Sequence, residues 1–419
     1  MIEKTEKEIM KNWRDFDLSI PMVSIRCITF NHVKYISKAF DSFLSQKTTF
    51  PFEIVVHDDC STDGTTEIIK EYEKKFPHIF VCIYETENQW SKKMRFTKKV
   101  DNACHGKYIA LCEGDDYWID DDKIQKQFDF MEKNQEYTMC LSNSYKYDDI
   151  TKELIPMDVF SGKNEISIQD QIEAGLTKDF PATASYFFPK SLLDKILPVF
   201  CGYVIGDYPL RLWFASNGKT YCFSEPMVVY RVNNGLSQMG KLKHNTRNYY
   251  KHLENMIRLW ENMDKYFSFQ FHNLFEPKIN DAIWGMCMCF SEDFADLDKV
   301  SNGKANEILR VMDKNYLPKE IIGLKENNSD LYIFGQSLFA KRCAEQLQNH
   351  DIHFNGFVIS DGYPKDTEFM DQFGRIYSLS EINKSSNIII AAQPKNAEII
   401  SKELIANGFD KIFKPFILN

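Results

Sequence analysis

The sequence predicts an α/β protein with two sheet domains separated by a helical connector. Short apolar runs alternate with amphipathic stretches from Met22 to about Gly114, and the same alternation restarts after the polar break KENNSD at 325–330. Between these regions, residues 241–326 are rich in aromatic residues and methionine at helical spacing and contain no convincing strand. Alternation of this kind is typical of strands that are covered by helices.

Four strands and three helices are predicted in the first sheet domain. The strands are MVSIRCITF, FEIVVH, IFVCIY and KYIALC, at 22–30, 52–57, 79–84 and 107–112. Apolar residues recur at helical spacing after the first, second and fourth strands. They are Ile36, Ala39, Phe40, Phe43 and Leu44, then Ile68, Ile69, Tyr72 and Phe76, then Ile124, Phe128 and Met131. Strands and loops are mixed from 137 to 240, with a short helix near 210–216.

Composition and charge exclude several classes of protein. The 419 residues carry a formal net charge of −9, which is too acidic for a nonspecific nucleic-acid binder. The N-terminal segment lacks an apolar signal-peptide core, and no run approaches the roughly 18 apolar residues of a membrane span. The 11 cysteines include no C-x-x-C pair, so we expect reduced thiols rather than a zinc site. We therefore expect a cytoplasmic protein with no nucleic-acid partner.

Acidic pairs directly follow two of the predicted strands. Asp58-Asp59 ends FEIVVH and Asp115-Asp116 follows KYIALC, so both pairs are expected in the crevice beyond the carboxyl ends of the strands. Ordinary turn chemistry accounts for these residues equally well, and the residues alone leave the two interpretations even. Two other acidic clusters receive a structural interpretation: Asp122 is expected to cap a helix, and Asp148-Asp149 to form a solvated turn.

The adjacent carboxylates of Asp115 and Asp116 indicate a divalent cation. Two such groups repel each other strongly unless a cation lies between them, and oxygen ligands favour Mg²⁺ or Mn²⁺. An ion held by only one or two protein carboxylates is the usual partner of a diphosphate. We therefore expect a nucleotide diphosphate ligand, with Asp116 facing a solvent-filled crevice.

Three segments taken together resemble glycosyltransferase family 2, nucleotide-sugar enzymes of the GT-A fold. They are PMVSIRCITFNHVKYISKAFDSFLSQ, EIVVHDDCSTDGTTEII and GKYIALCEGDDYWIDDDKIQKQFDFME, and the resemblance covers about residues 21–235. It implies a GT-A mixed sheet sandwiched by helices, a nucleotide diphosphate sugar as donor, with UDP as the expected nucleotide, and Mn²⁺ or Mg²⁺ as cofactor. The resulting domains are a leader at 1–20, the transferase domain at 21–240, the connector at 241–326 and a last domain at 327–419.

The resemblance also assigns residues to the donor and the metal. Phe30 would stack near the nucleobase, and Asp59 would contact the base or the ribose. Asp115 would approach the sugar or the ribose, and Asp116 would ligate the metal. Arg95, before the last of the four strands, would neutralise the diphosphate.

Two downstream segments resemble further parts of the family. YVIGDYPLRLWFAS at 203–216 resembles the region that supplies the catalytic base, which makes Asp207 the candidate. The residues alone fit an N-cap equally well, and the order of the motifs favours the base. MVVYRVNNGLSQ at 227–238 resembles a loop over the active site, so Arg231 becomes a phosphate contact, whereas Asn233 replaces a histidine of many relatives and receives no role.

The last domain resembles small Rossmann-like domains that are attached to sugar-processing enzymes. Strands are predicted at 331–334, 354–360 and 387–392, and the turn after the first of them opens a helix as a dinucleotide-binding loop would. Ser337, however, replaces the glycine whose bare backbone approaches a pyrophosphate. We therefore favour a structural or assembly domain, through which the chain forms homo-oligomers, over a working NAD site.

The sequence thus predicts an inverting glycosyltransferase. It would move a sugar from UDP to a hydroxyl of a saccharide or lipid-linked acceptor in bacterial cell-surface polysaccharide synthesis, with peripheral contact at the inner face of the membrane. A nucleotidyltransferase is an alternative, but it needs a glycine-rich or basic phosphate loop after the first strand, and residues 29–32 are not one. A non-catalytic scaffold is the other alternative, against which the intact acidic residues argue.

Overall fold

The computed structural model describes residues 3–13, 16–92, 97–176, 180–233, 246–289, 313, 315–326, 329–392 and 394–416. These residues form two compact units. The first unit draws on 1–245 and 259–275, and the second on 246–258 and 276–419. The boundaries predicted for the four sequence domains stay predictions.

The first unit is built on a ten-stranded mixed sheet. Its strands are β1 (Val23–Thr29), β2 (Phe52–Asp58), β3 (Phe80–Tyr84), β4 (Tyr108–Leu111), β5 (Tyr117–Trp118), β6 (Tyr137–Asp148), β7 (Leu154–Met157), β8 (Glu165–Ile166), β9 (Phe187–Pro189) and β10 (Lys219–Val232). The order is β3-β2-β1-β4-β9-β6-β10-β5, with β7 on β6 and β8 on β10. Strands β1 to β4 are parallel, and β9 is antiparallel to β4.

Helices cover this sheet. They are α1 (Glu6–Ile9), α2 (Ile36–Leu44), α3 (Thr65–Lys75), α4 (Thr97–Ala103), α5 (Lys123–Lys133), α6 (Ile168–Leu176), α7 (Lys190–Leu193) and α8 (Asp207–Asn217). The parallel strands are near-continuous apolar runs because both of their faces are covered, and β2 is buried along its whole length. Phe40 and Phe43 of α2 pack with Ile25 and Ile54 in one core.

Two long helices lie in the region predicted to be helical. They are α9 (Thr246–Tyr266) and α10 (His272–Cys289). Within the described parts of the chain, no helix is long and apolar enough to cross a membrane.

The second unit contains a five-stranded parallel sheet. Its strands are β11 (Leu331–Phe334), β12 (Gly356–Ile359), β13 (Ile376–Ser378), β14 (Asn387–Ile390) and β15 (Ile412–Phe413). Their order is β13-β12-β11-β14-β15, and every neighbouring pair is parallel. Its helices are α11 (Lys319–Ile322), α12 (Leu338–Asn349), α13 (Thr367–Phe373) and α14 (Pro394–Ala406). The sequence predicted β11, β12 and β14, whereas β13 and β15 are only 3 and 2 residues long and leave no apolar run to detect.

Candidate functional site

Acidic side chains gather on the loop that follows β4. Asp116 is only 3% exposed, and its Oδ1 accepts a hydrogen bond of 2.8 Å from the backbone N–H of Arg231 at the end of β10. Burial, followed by the charges of Asp115 and Glu113, raises the pKa of Asp116 well above its usual value. Burial and the charge of Asp115 likewise raise the pKa of Glu113 to about 7. Burial and mutual repulsion therefore disfavour the ionised forms of these carboxyl groups.

A glycine brings this loop against the end of β1. A Cβ on Gly114 would lie 2.7 Å from Thr29 Oγ1 and 2.9 Å from His32 Nδ1, so only glycine permits the approach. His32 in turn lies with its Nε2 3.9 Å from Oδ2 of Asp115. Burial lowers the pKa of His32 despite the neighbouring carboxylates. The ends of β1 and β4 thus form one edge, where parallel strands place ligand-binding groups.

The burial of Asp116 differs from the expectation that it faces a solvent crevice. The reason is the pairing of β5 with β10. Val229 lies opposite Tyr117 in the sheet, so Asp116, the residue before Tyr117, is covered by β10. The carboxyl set still fits a divalent cation, because the charge of Arg231 is outweighed by burial and by the repulsion from Asp115 and Glu113, so that the pKa of Asp116 remains raised. Within the described residues, no group of three or more His, Cys, Asp or Glu side chains could by itself enclose a metal ion. Mg²⁺ and Mn²⁺ sites completed by water and phosphate oxygens do not need such a cage.

Asp207 is close enough to the acidic loop for its charge to raise the pKa of Glu113. It is the first residue of α8, whose N-cap is Gly206 and whose cap makes no side-chain hydrogen bond. Burial, then the charges of Asp116, Asp115, Asp207 and Glu113 in that order, raise the pKa of Tyr230. The charges of three carboxyl groups on the loop after β4 and of Asp207 at the start of α8 therefore all act on this tyrosine. The N-cap interpretation of Asp207 is wrong, because the residue begins the helix instead of preceding it.

The predicted nucleobase residues lie at the ends of β1 and β2. Phe30 is 40% exposed, as expected for a ring that stacks on a ligand. Asp59 is buried, and its two carboxylate oxygens accept hydrogen bonds from the backbone N–H groups of Gln89, at 2.7 Å, and Trp90, at 3.0 Å. Asp59 thereby fixes the loop after β3. Trp90, 46% exposed, was not predicted, and the sequence signal that could have found it is a lone tryptophan in the polar stretch NQWS.

Arg231 lies in a cage of aromatic rings. Its guanidinium is centred 5.0 Å from the ring of Tyr35, 4.9 Å from that of Tyr117 and 5.4 Å from that of Tyr147. Its Nη1 lies 3.6 Å from Oδ1 of Asp149, and the side chain is 10% exposed. A guanidinium over aromatic faces is stabilised by the ring quadrupoles. A contact between Arg231 and a phosphate stays a prediction.

The turn at Asp148-Asp149 is not simply solvated, contrary to expectation. Asp149 pairs with Arg231 and accepts a hydrogen bond of 2.6 Å from the hydroxyl of Tyr35. Asp148 accepts one of 2.7 Å from the side-chain amide of Asn233. These contacts join the hairpin between β6 and β7 to the end of β10.

Asp122 and Arg95 are the remaining residues to which the sequence assigned a role. Asp122 occupies the N-cap position of α5, but its side chain makes no capping hydrogen bond. Arg95 lies outside the described residues.

Comparison with known proteins identifies the first domain. The family described as glycosyl transferase family 2 matches residues 24–194. The first domain of this chain belongs to glycosyltransferase family 2. Its mixed sheet with covering helices is the GT-A architecture that the sequence predicted, and the second, smaller sheet domain is also confirmed.

The family 2 domain has relatives in several organisms. An uncharacterized protein of Mycobacterium tuberculosis is 33% identical over 217 residues, which are 50% of this chain and 58% of that protein. The putative teichuronic acid biosynthesis glycosyltransferase TuaG of Bacillus subtilis is 33% identical over 151 residues, 36% of this chain and 54% of that protein. The E. coli protein WfaP, a UDP-Glc:alpha-D-GlcNAc-diphosphoundecaprenol beta-1,3-glucosyltransferase, is 33% identical over 147 residues, 35% and 53% of the two chains. The chain spans just over half the length of these relatives.

Solved structures give weaker likenesses. S. aureus TarS 1-349 in complex with UDP-GlcNAc is 16% identical, with a TM-score of 0.44 over 69% of this chain and 85% of that one. Mannosyltransferase PcManGT from Pyrobaculum calidifontis, in complex with GDP-Man and Mn²⁺, is 13% identical, with a TM-score of 0.41 over 73% and 87%.

Proposed function

We propose that the protein is an inverting glycosyltransferase that moves a sugar from UDP to a hydroxyl of a saccharide or lipid-linked acceptor. The observation that carries this proposal is the acidic loop after β4, in which the buried carboxyl of Asp116 is held by the backbone N–H of Arg231, within a family 2 domain. In-line attack at the anomeric carbon needs a base on one side and neutralisation of the leaving diphosphate on the other.

The base in this proposal is Asp207. Its carboxylate lies in the first turn of α8 and is close enough to the acidic loop for its charge to act on Glu113, so we assign to it the proton of the acceptor hydroxyl. The sugar then passes to that oxygen with inversion, because the acceptor attacks opposite the diphosphate.

Asp116, with Asp115 beside it, would hold Mn²⁺ or Mg²⁺. When bound, such an ion supplies positive charge to the diphosphate leaving group. The hydrogen bond from the backbone N–H of Arg231 would fix the orientation of the Asp116 carboxyl for metal binding. Arg95 and Arg231 are the proposed diphosphate contacts from the chain itself.

The nucleotide would lie between the ends of β1 and β2. Phe30 stacks on the base. Asp59 fixes the loop of Gln89 and Trp90 and retains lone pairs for the base or the ribose, since each carboxylate oxygen accepts more than one hydrogen bond. UDP is proposed over other nucleotides because the E. coli relative is named for a UDP-linked donor.

The pathway and place of action are likewise proposed. The Bacillus and E. coli relatives are named for teichuronic acid synthesis and for a diphosphoundecaprenol acceptor, so we infer a bacterial cell-surface polysaccharide. Such an acceptor is presented at the inner face of the membrane, where a cytoplasmic enzyme would meet it by peripheral contact. Homo-oligomers through the last domain would keep the enzyme on a growing polymer.

The test is a thermal-shift panel of nucleotide diphosphates and their sugars, each with and without Mn²⁺. A bound ligand raises the melting temperature by mass action, so UDP sugars should give the largest rise, and only with metal. Slow release of free sugar from the best donor then shows catalysis. The control variant is Asp121→Asn, which removes an exposed carboxylate that pairs only with the exposed Lys47 among the described residues; it should behave as wild type. No shift with any nucleotide would favour the scaffold alternative.

A further inference from the structure

The second unit has a cleft where its chain reverses direction across the sheet. From β11 the chain runs outward through β12 to β13, and it then crosses back to β14 on the other side of β11. In open parallel sheets, ligands bind beyond the carboxyl ends of the strands at such a reversal. The cleft lies at the carboxyl ends of β11 and β14, between Phe334 and Gly335 on one side and Ala391 on the other.

This first cleft is apolar and has a volume of about 300 Å³. That volume is at the lower end of the roughly 300–1,000 Å³ typical of small-molecule sites. Ile399 and Ile400 of α14 form its outer wall, and Ile399 is 60% exposed. Gly335 has φ +125°, which side chains rarely adopt, so bare backbone faces the cleft. No charged side chain lines the cleft among the described residues, which suits a flat, uncharged group such as a nucleobase.

A second cleft of about 230 Å³ shares Gln336 and Ser337 with the first. It is also lined by Lys341, Phe369 and Phe373. Lys341 Nζ lies 5.1 Å from the centre of the Phe373 ring, and Lys341 has no ion-pair partner among the residues the structure describes. A cation in this position suits an anionic group of a ligand.

The wall between the clefts is fixed by hydrogen bonds. The side-chain amide of Gln336 donates to the carbonyl of Pro364 at 2.9 Å, and its oxygen accepts from the backbone N–H of Asp366, also at 2.9 Å. Ser337 follows as the N-cap of α12, yet its hydroxyl makes no capping bond. A ligand that spans both clefts would therefore cross a rigid ridge whose serine hydroxyl is available to it.

We propose that the second unit binds a nucleoside phosphate across these two clefts. The base and ribose occupy the apolar cleft beside Ile399 and Ile400, and the phosphate passes Ser337 toward Lys341. The Ser337 side chain stands where a dinucleotide needs bare backbone, so the ligand is a mononucleotide rather than NAD. This site takes no part in sugar transfer and gives the chain a second nucleotide site, independent of metal.

The test is calorimetry on the full chain in EDTA, which removes the metal that the proposed donor site requires. AMP and UMP are the titrants, with adenosine, inorganic phosphate and NAD as comparisons. We expect at least one mononucleotide to bind, more tightly than adenosine and more tightly than phosphate alone. Ile399→Asp and Lys341→Gln should each weaken it at least tenfold. Both positions lie at the surface of the clefts, so folding should survive, and melting curves verify this.

The matched control is Ile405→Asp, which changes an isoleucine of the same helix that is 62% exposed and lines neither cleft. It should bind as wild type. Three results would overturn the proposal: no binding of either mononucleotide, equal binding by Ile399→Asp and wild type, or NAD binding tenfold tighter than both mononucleotides. Metal-dependent UDP binding by the same preparation would show that such a failure concerns this site and leaves the proposed transferase function standing.

Discussion

The backbone N–H of Arg231 donates a hydrogen bond of 2.8 Å to Oδ1 of Asp116, across 115 positions of the chain. Because the donor is the main chain, the bond does not depend on the side chain at position 231. That side chain instead turns into its cage of three tyrosines and Asp149. The end of β10 thus orients the proposed metal ligand while its guanidinium ties the strand to the β6–β7 hairpin.

Asp116→Asn should weaken metal binding while the protein stays folded. The amide oxygen still accepts the bond from Arg231, but the charge that burial and Asp115 penalise is gone. We expect the melting temperature without metal to rise and the Mn²⁺-dependent affinity for UDP to fall by at least 100-fold. Melting curves and calorimetry on the same preparation check both effects, with Asp121→Asn as the control. A variant that binds UDP with Mn²⁺ as tightly as wild type would remove Asp116 from the site.

Asp207→Asn should separate catalysis from helix stability. Loss of a general base costs roughly 10²–10⁴-fold in rate. Because Gly206 and not Asp207 is the N-cap of α8, stability should change only by the helix-dipole contribution of about 0.3–1 kcal/mol. Turnover, UDP affinity and melting temperature are measured together. Normal turnover in this variant would mean that another group takes the acceptor proton.

Arg231→Ala should lower both the stability of the protein and its affinity for the donor. Loss of the cage interactions should lower the free energy of unfolding by about 1–2 kcal/mol, the scale of a desolvated cation–π contact. If the guanidinium also contacts the diphosphate, UDP affinity falls more than uridine affinity. Tyr35→Phe serves as the comparison, since it removes only the hydroxyl that donates to Asp149. An unchanged ratio of UDP to uridine affinity would mean that Arg231 stabilises the fold and does not contact the diphosphate.

Lys123 should make a contribution to stability that rises with pH in the alkaline range. This lysine is fully buried against the ring of Trp118, and burial lowers its pKa from 10.5 to about 8. Between these values the unfolded chain binds the proton of this lysine more strongly than the folded one, so the contribution of Lys123 to stability increases from about pH 8 to 10.5. Buried cysteines, whose pKa burial raises, contribute in the opposite direction, so the effect of Lys123 is measured as a difference from a variant. Urea titrations across this range measure the slope.

The matched comparison for that slope is a pair of lysine variants on α5. Relative to Lys123→Met, the wild-type protein should gain stability from about pH 8 to 10.5, whereas relative to Lys126→Met, which changes an exposed lysine paired with Asp120, it should show no such gain. A constant difference between wild type and Lys123→Met across this range would contradict the assignment.

The sequence predicted the parts of the fold that local patterns encode. Strands β1, β2 and β4 are largely apolar runs that are mostly buried, and α2, α3 and α5 show a clear helical period. Helix α6 was missed although its apolar residues recur at helical spacing, whereas β13 and β15, of 3 and 2 residues, are too short to leave a local pattern.

The candidate site also combines local and distant features. Asp115 and Asp116 were singled out because they directly follow a strand, and Asp207 because its segment resembles a region of the family; their roles stay predictions. The bond from Tyr35 to Asp149 joins residues 114 positions apart, and no local pattern carries it. The depth of Asp116 likewise depends on its pairing with distant β10.

The most direct test of the proposed transferase is calorimetric titration of UDP into the wild-type protein, once with Mn²⁺ and once with EDTA. The acidic loop repels a diphosphate unless a cation lies between them, so we expect clear binding with Mn²⁺ and at least 100-fold weaker binding in EDTA. The same UDP affinity in both buffers would contradict the account, because the carboxylates of Asp115 and Asp116 would then have no metal to hold.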